Sequence, residues 1–427
     1  MFDDGSPFFW LGDTAWELFH RLTFEEARLY LENRRQKGFT VIQAVVLAEF
    51  DGLNTPNPYG ECPLIGHDPL RPNERYFDYI DRVIRLAGEK GLFVGLLPTW
   101  GDKVELLAHG KGPVIFNPEN ARRYGEWIGR RYRDFENVVW INGGDRSGGG
   151  ANTAIWNALG SAIKSVDPNH LMTFHPLGGG GGHSSSEWFH QADWLDFNLA
   201  QSGHECRDLP NHEIVARDYA LQPTKPCLDG EPRYEDHAVN WKPAELGYFD
   251  DYDVRQAAYW AVFAGACGHT YGCHPIWQFL AQGRDPIGFA RRPWREALDL
   301  PGAFQMTHVR NLMESRPMLS RISDQSVVTD TRSGAAHLRA TRDESRRYAL
   351  VYTPVGRPFT VRMDTVDAPK VSAWWFNPRD GRASRIGDFL SLGEKDFTPP
   401  GAGEKLDWVL VLDDAAAGVA PPGVPPR

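Results

Sequence analysis

The sequence predicts an α/β protein: a (β/α)8 TIM barrel followed by a small C-terminal antiparallel β-sandwich. Short apolar runs alternate with helical patterns over about the first 320 residues, the signature of a parallel sheet with crossover helices. After Pro317 the helical patterns give way to strand-like runs separated by Gly and Pro turns. A chain of 427 residues also exceeds what one small core organises, and suits a barrel-sized domain with a smaller one appended.

The barrel elements follow one another directly. FFWLG (8–12) precedes the helical FEEARLYLENRRQKG, and TVIQAVVLA (40–48) precedes YFDYIDRVIRLAGEKG. LFVGLLPTW (92–100) precedes NARRYGEWIGRRYRDF, and NVVWINGGD (137–145) precedes NTAIWNALGSAIKSV. LMTFHPL (171–177) comes next, then WLDFNLAQSGH (194–204) with EIVARDYAL, and KPCLDGE (225–231) with VRQAAYWAVFAGA. HTYGCHPIW (269–277) completes eight strands, and a last helix ends near Ser315. A doubly wound sheet is the competing arrangement, but no GxGxxG follows the first strand to support its nucleotide-binding form. The barrel is expected over 1–318. The sandwich, built from QSVVTDTR, AAHLRATR, RRYALVYTPV, FTVRM, KVSAWWFNP and DWVLVLDD, is expected over 319–414. The tail 415–427, rich in Ala, Pro and Gly, is expected to be disordered.

With 41% hydrophobic and 24% charged residues the chain is a folded protein rather than a disordered one. A net charge of -10 argues against nucleic acid, which demands clustered Lys and Arg. No segment has the length of a membrane span, so no membrane partner is expected. The 15 Trp include several beside acids and glycines at strand ends, where sugar-binding faces are built, which points to a carbohydrate partner. Five cysteines without a CxxC pair read as free thiols of a reducing compartment. The N-terminus MFDDGSPFFWLGDTAW carries neither a basic n-region nor a long apolar h-region, so a cytoplasmic location is expected, or a secreted or periplasmic one if a signal was removed.

A barrel of this kind builds its active site at the C-terminal ends of the strands. Those ends present Asp13 and Trp16, Gln43 and Glu49, Trp100 and Asp102, Asn142 and Asp145, His175, Asn198 and Gln201, Asp229 and Glu231, and finally His269, Tyr271, His274 and Trp277. Asp145, after the fourth strand, and Glu231, after the seventh, can flank a ligand from opposite sides of the mouth. Retaining glycoside hydrolysis needs two carboxylates about 5–5.5 Å apart. The plainer alternative makes Asp145 a loop acid or helix cap and Glu231 a surface salt-bridge partner. Asp13, Trp16, His20, Gln43, Trp100, Asn142, His175, Asn198, Gln201, Tyr271 and Trp277 are candidates for holding the sugar.

Other features have structural readings. His183 beside LGGGGGHSSS (177–186) reads as a lone histidine on a flexible loop, and the glycine run lacks the Lys-Ser/Thr of a P-loop. Cys206, Cys227 and Cys273 read as structural cysteines. Trp374 and Trp375 read as sandwich core or interdomain packing.

FFWLGDTAWELFHRLTFEEARLYLENRRQKGFTVIQ, VVWINGGDR and DGEPRYE, in that order, resemble the apiosidase-like catalytic domain of glycoside hydrolase family 140, once a DUF4038 domain. The trailing β region resembles the small domain that this family carries, labelled a collagen-binding domain. The resemblance covers nearly the whole chain. It implies a (β/α)8 barrel and a retaining mechanism, with the GGD aspartate as acid/base and the DGE glutamate as nucleophile, which are Asp145 and Glu231 here. It further implies release of a branched pentose such as apiose. The carboxylate pair and the lack of metal-ligand spacing lead to an expectation of no cofactor and no metal. Two rival readings are a non-catalytic carbohydrate-binding protein and a metal-dependent barrel hydrolase served by His175, His204, His269 and His274.

Overall fold

A computed structural model of the chain describes residues 1–2, 4–107 and 110–425. The first domain carries β1 (Trp10–Thr14), β2 (Val41–Val45), β3 (Phe93–Leu97), β4 (Val138–Gly143), β5 (Met172–His175), β6 (His183–Ser184), β7 (Asn198–Gln201), β8 (Cys227–Asp229) and β9 (Gly268–Tyr271). Their order in the sheet is β5-β4-β3-β2-β1-β9-β8-β7-β6, parallel throughout except where β6 runs against β7. The cylinder closes between β5 and the entry to β7, where Asp196 N–H donates to Met172 O (2.8 Å) and Thr173 Oγ1 donates to Phe197 O (2.6 Å). The eight expected barrel strands are therefore β1 to β5 and β7 to β9. The two residues of β6 come from the far end of the glycine loop, where His183 is ordered against Glu187 (2.8 Å).

Alternation along each strand sorts side chains between two compartments. Trp10, Val41, Val45, Leu97, Val139, Ile141, Phe197, Leu199 and Leu228 fill the barrel interior. Leu11, Ile42, Ala44, Leu96, Trp140, Phe174 and Tyr271 face outward and pack under the helices. The helices start where the chain supplies caps. Thr23 and Glu26 form a capping box ahead of Phe24–Gln36, Asn117 caps Pro118–Tyr132, and Asp250 and Asp253 box the start of Asp251–Phe263.

The second domain contains β10 (Arg321–Ser323), β11 (Arg339–Asp343), β12 (Tyr348–Thr353), β13 (Phe359–Arg362), β14 (Lys370–Phe376), β15 (Ala383–Leu390), β16 (Glu394–Phe397) and β17 (Trp408–Asp414). An antiparallel sheet ordered β10-β11-β12-β17-β14-β15 packs one face against the β13–β16 ribbon around Val351, Val361, Trp375, Phe397 and Leu410. Its other face, with Tyr348, Leu350, Tyr352, Val409 and Val411, merges into the core of the barrel. There Tyr352 stacks on Tyr259 of the Asp251–Phe263 helix (4.9 Å between rings, 9° between planes). Two buried bidentate pairs cross the same boundary, Arg255 with Asp407 (3.0 and 2.8 Å) and Arg316 with Asp413 (both 2.7 Å). Trp375 lies in the sandwich core and Trp374 packs toward the barrel, as interdomain packing requires.

The tail departs from expectation. Pro422 is buried, and Gly423 N–H donates to Ser315 Oγ (3.1 Å) while its backbone lies against Phe376. Docking is confined to this point, since 416–421 are exposed and 426–427 lie outside the described residues; the prolines lower the entropy lost on fixing it.

Arg316 has no carboxylate besides Asp413 within ion-pair distance among the described residues, and both side chains are 2% exposed. Asp413→Ala should strand the guanidinium and lower unfolding free energy by roughly 3–5 kcal/mol in chemical denaturation, with barrel and sandwich still melting together. A loss under about 1 kcal/mol would show that the boundary does not depend on this pair.

Candidate active site

The GGD turn is built from backbone that only small residues allow. Gly143, Gly144 and Asp145 all have positive φ (93°, 121° and 55°). A Cβ on Gly143 would lie 2.4 Å from His175 O, and one on Gly144 would lie 2.9 Å from the Trp100 ring. Asp is among the few residues with a side chain that enter the left-handed region readily. The turn is fastened by Gly144 N–H to His175 O (3.0 Å) and by Gly101 N–H to Gly144 O (2.9 Å). It sets Asp145, half-buried, with its N–H toward His175 Nδ1 (3.4 Å) and Oδ1 accepting from Gly178 N–H (3.4 Å).

The two acids of DGE part ways. Asp229 points into the scaffold and accepts from Ser202 Oγ (2.7 Å) and Asn211 Nδ2 (2.9 Å). Gly230 has no room for a side chain, since a Cβ there would sit 2.5 Å from Leu199. Glu231 turns into the barrel mouth. Its Oε2 lies 2.9 Å from His175 Nε2 and its Oε1 lies 3.2 Å from His204 Nε2. Burial alone would raise this carboxyl, but hydrogen bonds from His175 and then His204 outweigh it and hold the pKa at about 2. Glu231 is thus ionised throughout the neutral range. Asp145 and Glu231 both line one cavity of about 420 Å³.

Of the expected sugar-holding residues, Trp16, Trp100, Gln201 and Trp277 also line this cavity. His175 stands behind Glu231, its ring 5.3 Å from Trp16 and 5.6 Å from Trp100. The other six are committed elsewhere. Asp13 bonds Arg34 Nε and Tyr30 OH (both 2.5 Å), Asn142 bonds Trp156 O (2.9 Å), and Tyr271 OH donates to Glu235 (2.5 Å). Asn198 Nδ2 meets His190 (3.1 Å), Gln43 donates to Gly230 O (3.0 Å), and His20 is held by Glu17 (2.5 Å) and Thr55 O (3.0 Å). Asp13, Asn142, Asn198 and Tyr271 sit at outward positions of their strands, so the pleat aims them at the helices.

Sequence reasoning passed over the segment after Glu231. Tyr234, His237 and Trp241 come from RYEDHAVNW and make one wall of the cavity with His204, His274 and Phe50. His237 stacks on His204 (4.3 Å, 24°) and meets His274 edge-on (4.2 Å, 70°). Trp241 is 44% exposed at the rim, and both Asn240 and Trp241 have positive φ (49° and 54°). The signal available in sequence was a dense group of aromatic and imidazole residues directly behind DGE. Glu49, named only as a strand-end residue, also lines the cavity. The four histidines weighed for a metal divide: His175 and His204 face Glu231, His274 Nε2 lies 2.8 Å from Gly288 O, and His269 is buried under the sheet. Among the described residues no three His, Cys, Asp or Glu side chains converge as metal ligands.

An ionised carboxylate, a second carboxyl and indole faces around one small cavity are the groups needed to cleave a sugar acetal. Comparison with known proteins points the same way. The family described as "Apiosidase-like, catalytic domain" matches residues 1–320, and the one described as "Putative collagen-binding domain of a collagenase" matches residues 322–413. No curated protein matches the chain. A solved structure titled as a glycoside hydrolase is 36% identical, with 97% of this chain and 94% of that one covered and a TM-score of 0.88. A glycoside hydrolase family 5 structure from Bacteroides vulgatus is 33% identical over 99% of this chain and 93% of its own, with a TM-score of 0.90. With its barrel matched from end to end and two such structures superposing on nearly the whole molecule, the chain belongs to the apiosidase-like family and is a glycoside hydrolase.

Proposed function

We propose that the enzyme is a retaining glycosidase that removes a pentose, apiose-like or another furanosyl residue, from an oligosaccharide or small glycoside. The observation that carries the mechanism is the buried carboxylate of Glu231, 2.9 and 3.2 Å from two imidazole nitrogens and on the same cavity as Asp145. His175 contacts both sides, with Nε2 at Glu231 and Nδ1 at the Asp145 N–H, so the two acidic segments converge on one ring. Such convergence suits the short spacing of a double displacement.

In the first step a Glu231 oxygen attacks the anomeric carbon while the bond to the leaving oxygen breaks and Asp145 protonates that oxygen. The product is a glycosyl ester on Glu231. In the second step Asp145, now a carboxylate, takes a proton from water as its oxygen attacks the anomeric carbon, and the ester bond breaks to return Glu231 as carboxylate. Configuration is retained after two inversions. A cavity of about 420 Å³ is near the small end of ligand sites and suits one sugar ring with part of its neighbour. Trp16, Trp100 and Trp277 offer apolar faces to the ring.

Glu231→Gln should abolish turnover of every glycoside. Asp145→Ala should cripple natural substrates yet form the glycosyl-enzyme from an activated aryl glycoside, and azide should then restore turnover with a β-glycosyl azide from a β substrate. Azide rescue of Glu231→Ala to that retained product would instead reverse the two roles. Because two carboxylates supply both proton transfer and nucleophile, activity should survive EDTA; loss on chelation with recovery on adding Zn²⁺ would speak for the metal-dependent alternative.

Glu231 must be ionised to attack, so activity fails below its pKa. His204→Ala removes one hydrogen bond to the carboxylate and lets that pKa rise toward the ordinary value. The acidic limb of kcat/KM should move upward by about 1–2 pH units. An unmoved limb would mean that His204 does not set the charge of Glu231.

A further inference from the structure

The mechanism above uses two carboxyls, and the cavity has a third. Glu49 follows β2, lines the cavity with Asp145 and Glu231, and is 9% exposed. Among the described residues no side-chain hydrogen bond and no ion pair reaches its carboxyl. Its charged neighbours come from three other segments. Asp145 stands on the turn after β4, Asp102 follows β3, and Glu17 follows β1. The cation among them is Lys103, whose ammonium is already held by Asp102 (2.6 Å) and Ala48 O (2.7 Å). Glu17 is matched by His20 and Arg21, and Glu231 by His175 and His204. Glu49 alone in this group faces the cavity without a partner among the described residues.

A buried carboxylate without donors and beside three other acids is an unstable species. Burial first, then Asp145, Asp102 and Glu17, push the Glu49 carboxyl well above the usual carboxylate range. A protonated carboxyl differs in kind from the other two, because it offers one O–H donor and one carbonyl acceptor. A sugar hydroxyl complements that pair.

We propose that Glu49 is a substrate-positioning residue of this site: a neutral carboxylic acid that donates its O–H to one hydroxyl of the sugar held between Asp145 and Glu231, and so selects sugars that carry a hydroxyl there. The assignment rests on the glycosidase reading and goes beyond it, since it adds a specificity-determining contact and a protonation state that the double displacement does not need. Glu49 takes no part in proton transfer to the leaving group.

Two measurements test it. The first needs no substrate. A carboxyl whose folded pKa is raised contributes stability that is lost as pH climbs from the unfolded pKa, about 4.3, toward the folded value. Glu49→Gln removes that group, so its melting temperature should gain on wild type progressively as pH rises from acid through neutral. A difference that stays flat with pH would overturn the neutral carboxyl.

The second uses the aryl pentofuranoside that the wild type hydrolyses best. Glu49→Ala should lower kcat/KM about tenfold, mostly through KM, whereas Glu49→Gln, which keeps an N–H donor, should stay within a few-fold of wild type. Among monodeoxy versions of that glycoside, one should be hydrolysed equally by wild type and Glu49→Ala, which identifies the hydroxyl contacted. Equal losses on every deoxy substrate would overturn the contact. Azide rescue of Glu49→Ala on an activated glycoside would make Glu49 the proton donor and likewise overturn the positioning role. Wild-type inactivity on every pentofuranoside would sink the pentose reading instead, while the melting comparison still decides the state of Glu49.

Discussion

His175 is the joint on which the site turns. Its carbonyl accepts the Gly144 N–H and so fixes the left-handed turn that delivers Asp145, while its imidazole reaches Glu231 from the opposite direction. The ring has little freedom, since Trp16 meets it edge to face (88°) and Trp100 packs obliquely beside it (47°). One residue at the end of β5 therefore fixes the backbone of one acidic motif through its carbonyl and, together with His204, supports the charge of the other through its ring. This explains why GGD cannot be an ordinary loop. The glycines are demanded by how closely His175 and Trp100 approach the turn, and Asp is one of the few residues with a side chain that tolerate the φ found at position 145.

The mouth of the barrel gathers more acid than its size would suggest, and the protein treats each carboxyl differently. Asp229 is bonded to neutral donors below the cavity, Asp102 is tied to Lys103 and to backbone N–H groups, and Glu17 is clasped by His20. Glu231 keeps its charge through two imidazoles. A site arranged in this way holds carboxyls in unlike surroundings within a few side chains of one another. The net negative field also disfavours anionic ligands.

Much of this was legible beforehand, and each error has its own physical cause. Apolar runs and turn residues were enough to locate the eight barrel strands, although the last stops at Tyr271 and His274–Trp277 turns into a short helix. They were also enough to put Asp145 and Glu231 at strand ends. Proximity to a strand end does not decide which way a side chain points, however. Asp13 lies one residue from the inward-facing Gly12, and Asn142 one residue from the inward-facing Ile141; that single step of the pleat sends each to the helix layer. Tyr234, His237 and Trp241 escaped because they belong to a loop, where no periodicity exists to read. The docking of Pro422 and Gly423 escaped because composition describes what a segment can bury and not what a neighbour can bury on it.

The face of the β10–β15 sheet that merges with the barrel gives the second domain a duty separate from any ligand. Tyr259 and Trp260 meet that domain directly, Tyr259 stacked on Tyr352 and Trp260 Nε1 donating to His337 O (3.1 Å). A chain ending at residue 320 would present this aromatic ridge to water, together with Arg255 deprived of Asp407. Apolar ridges of that kind are where proteins adhere to one another. The sandwich thus completes the barrel's flank, covering apolar surface that the barrel alone would leave open to water.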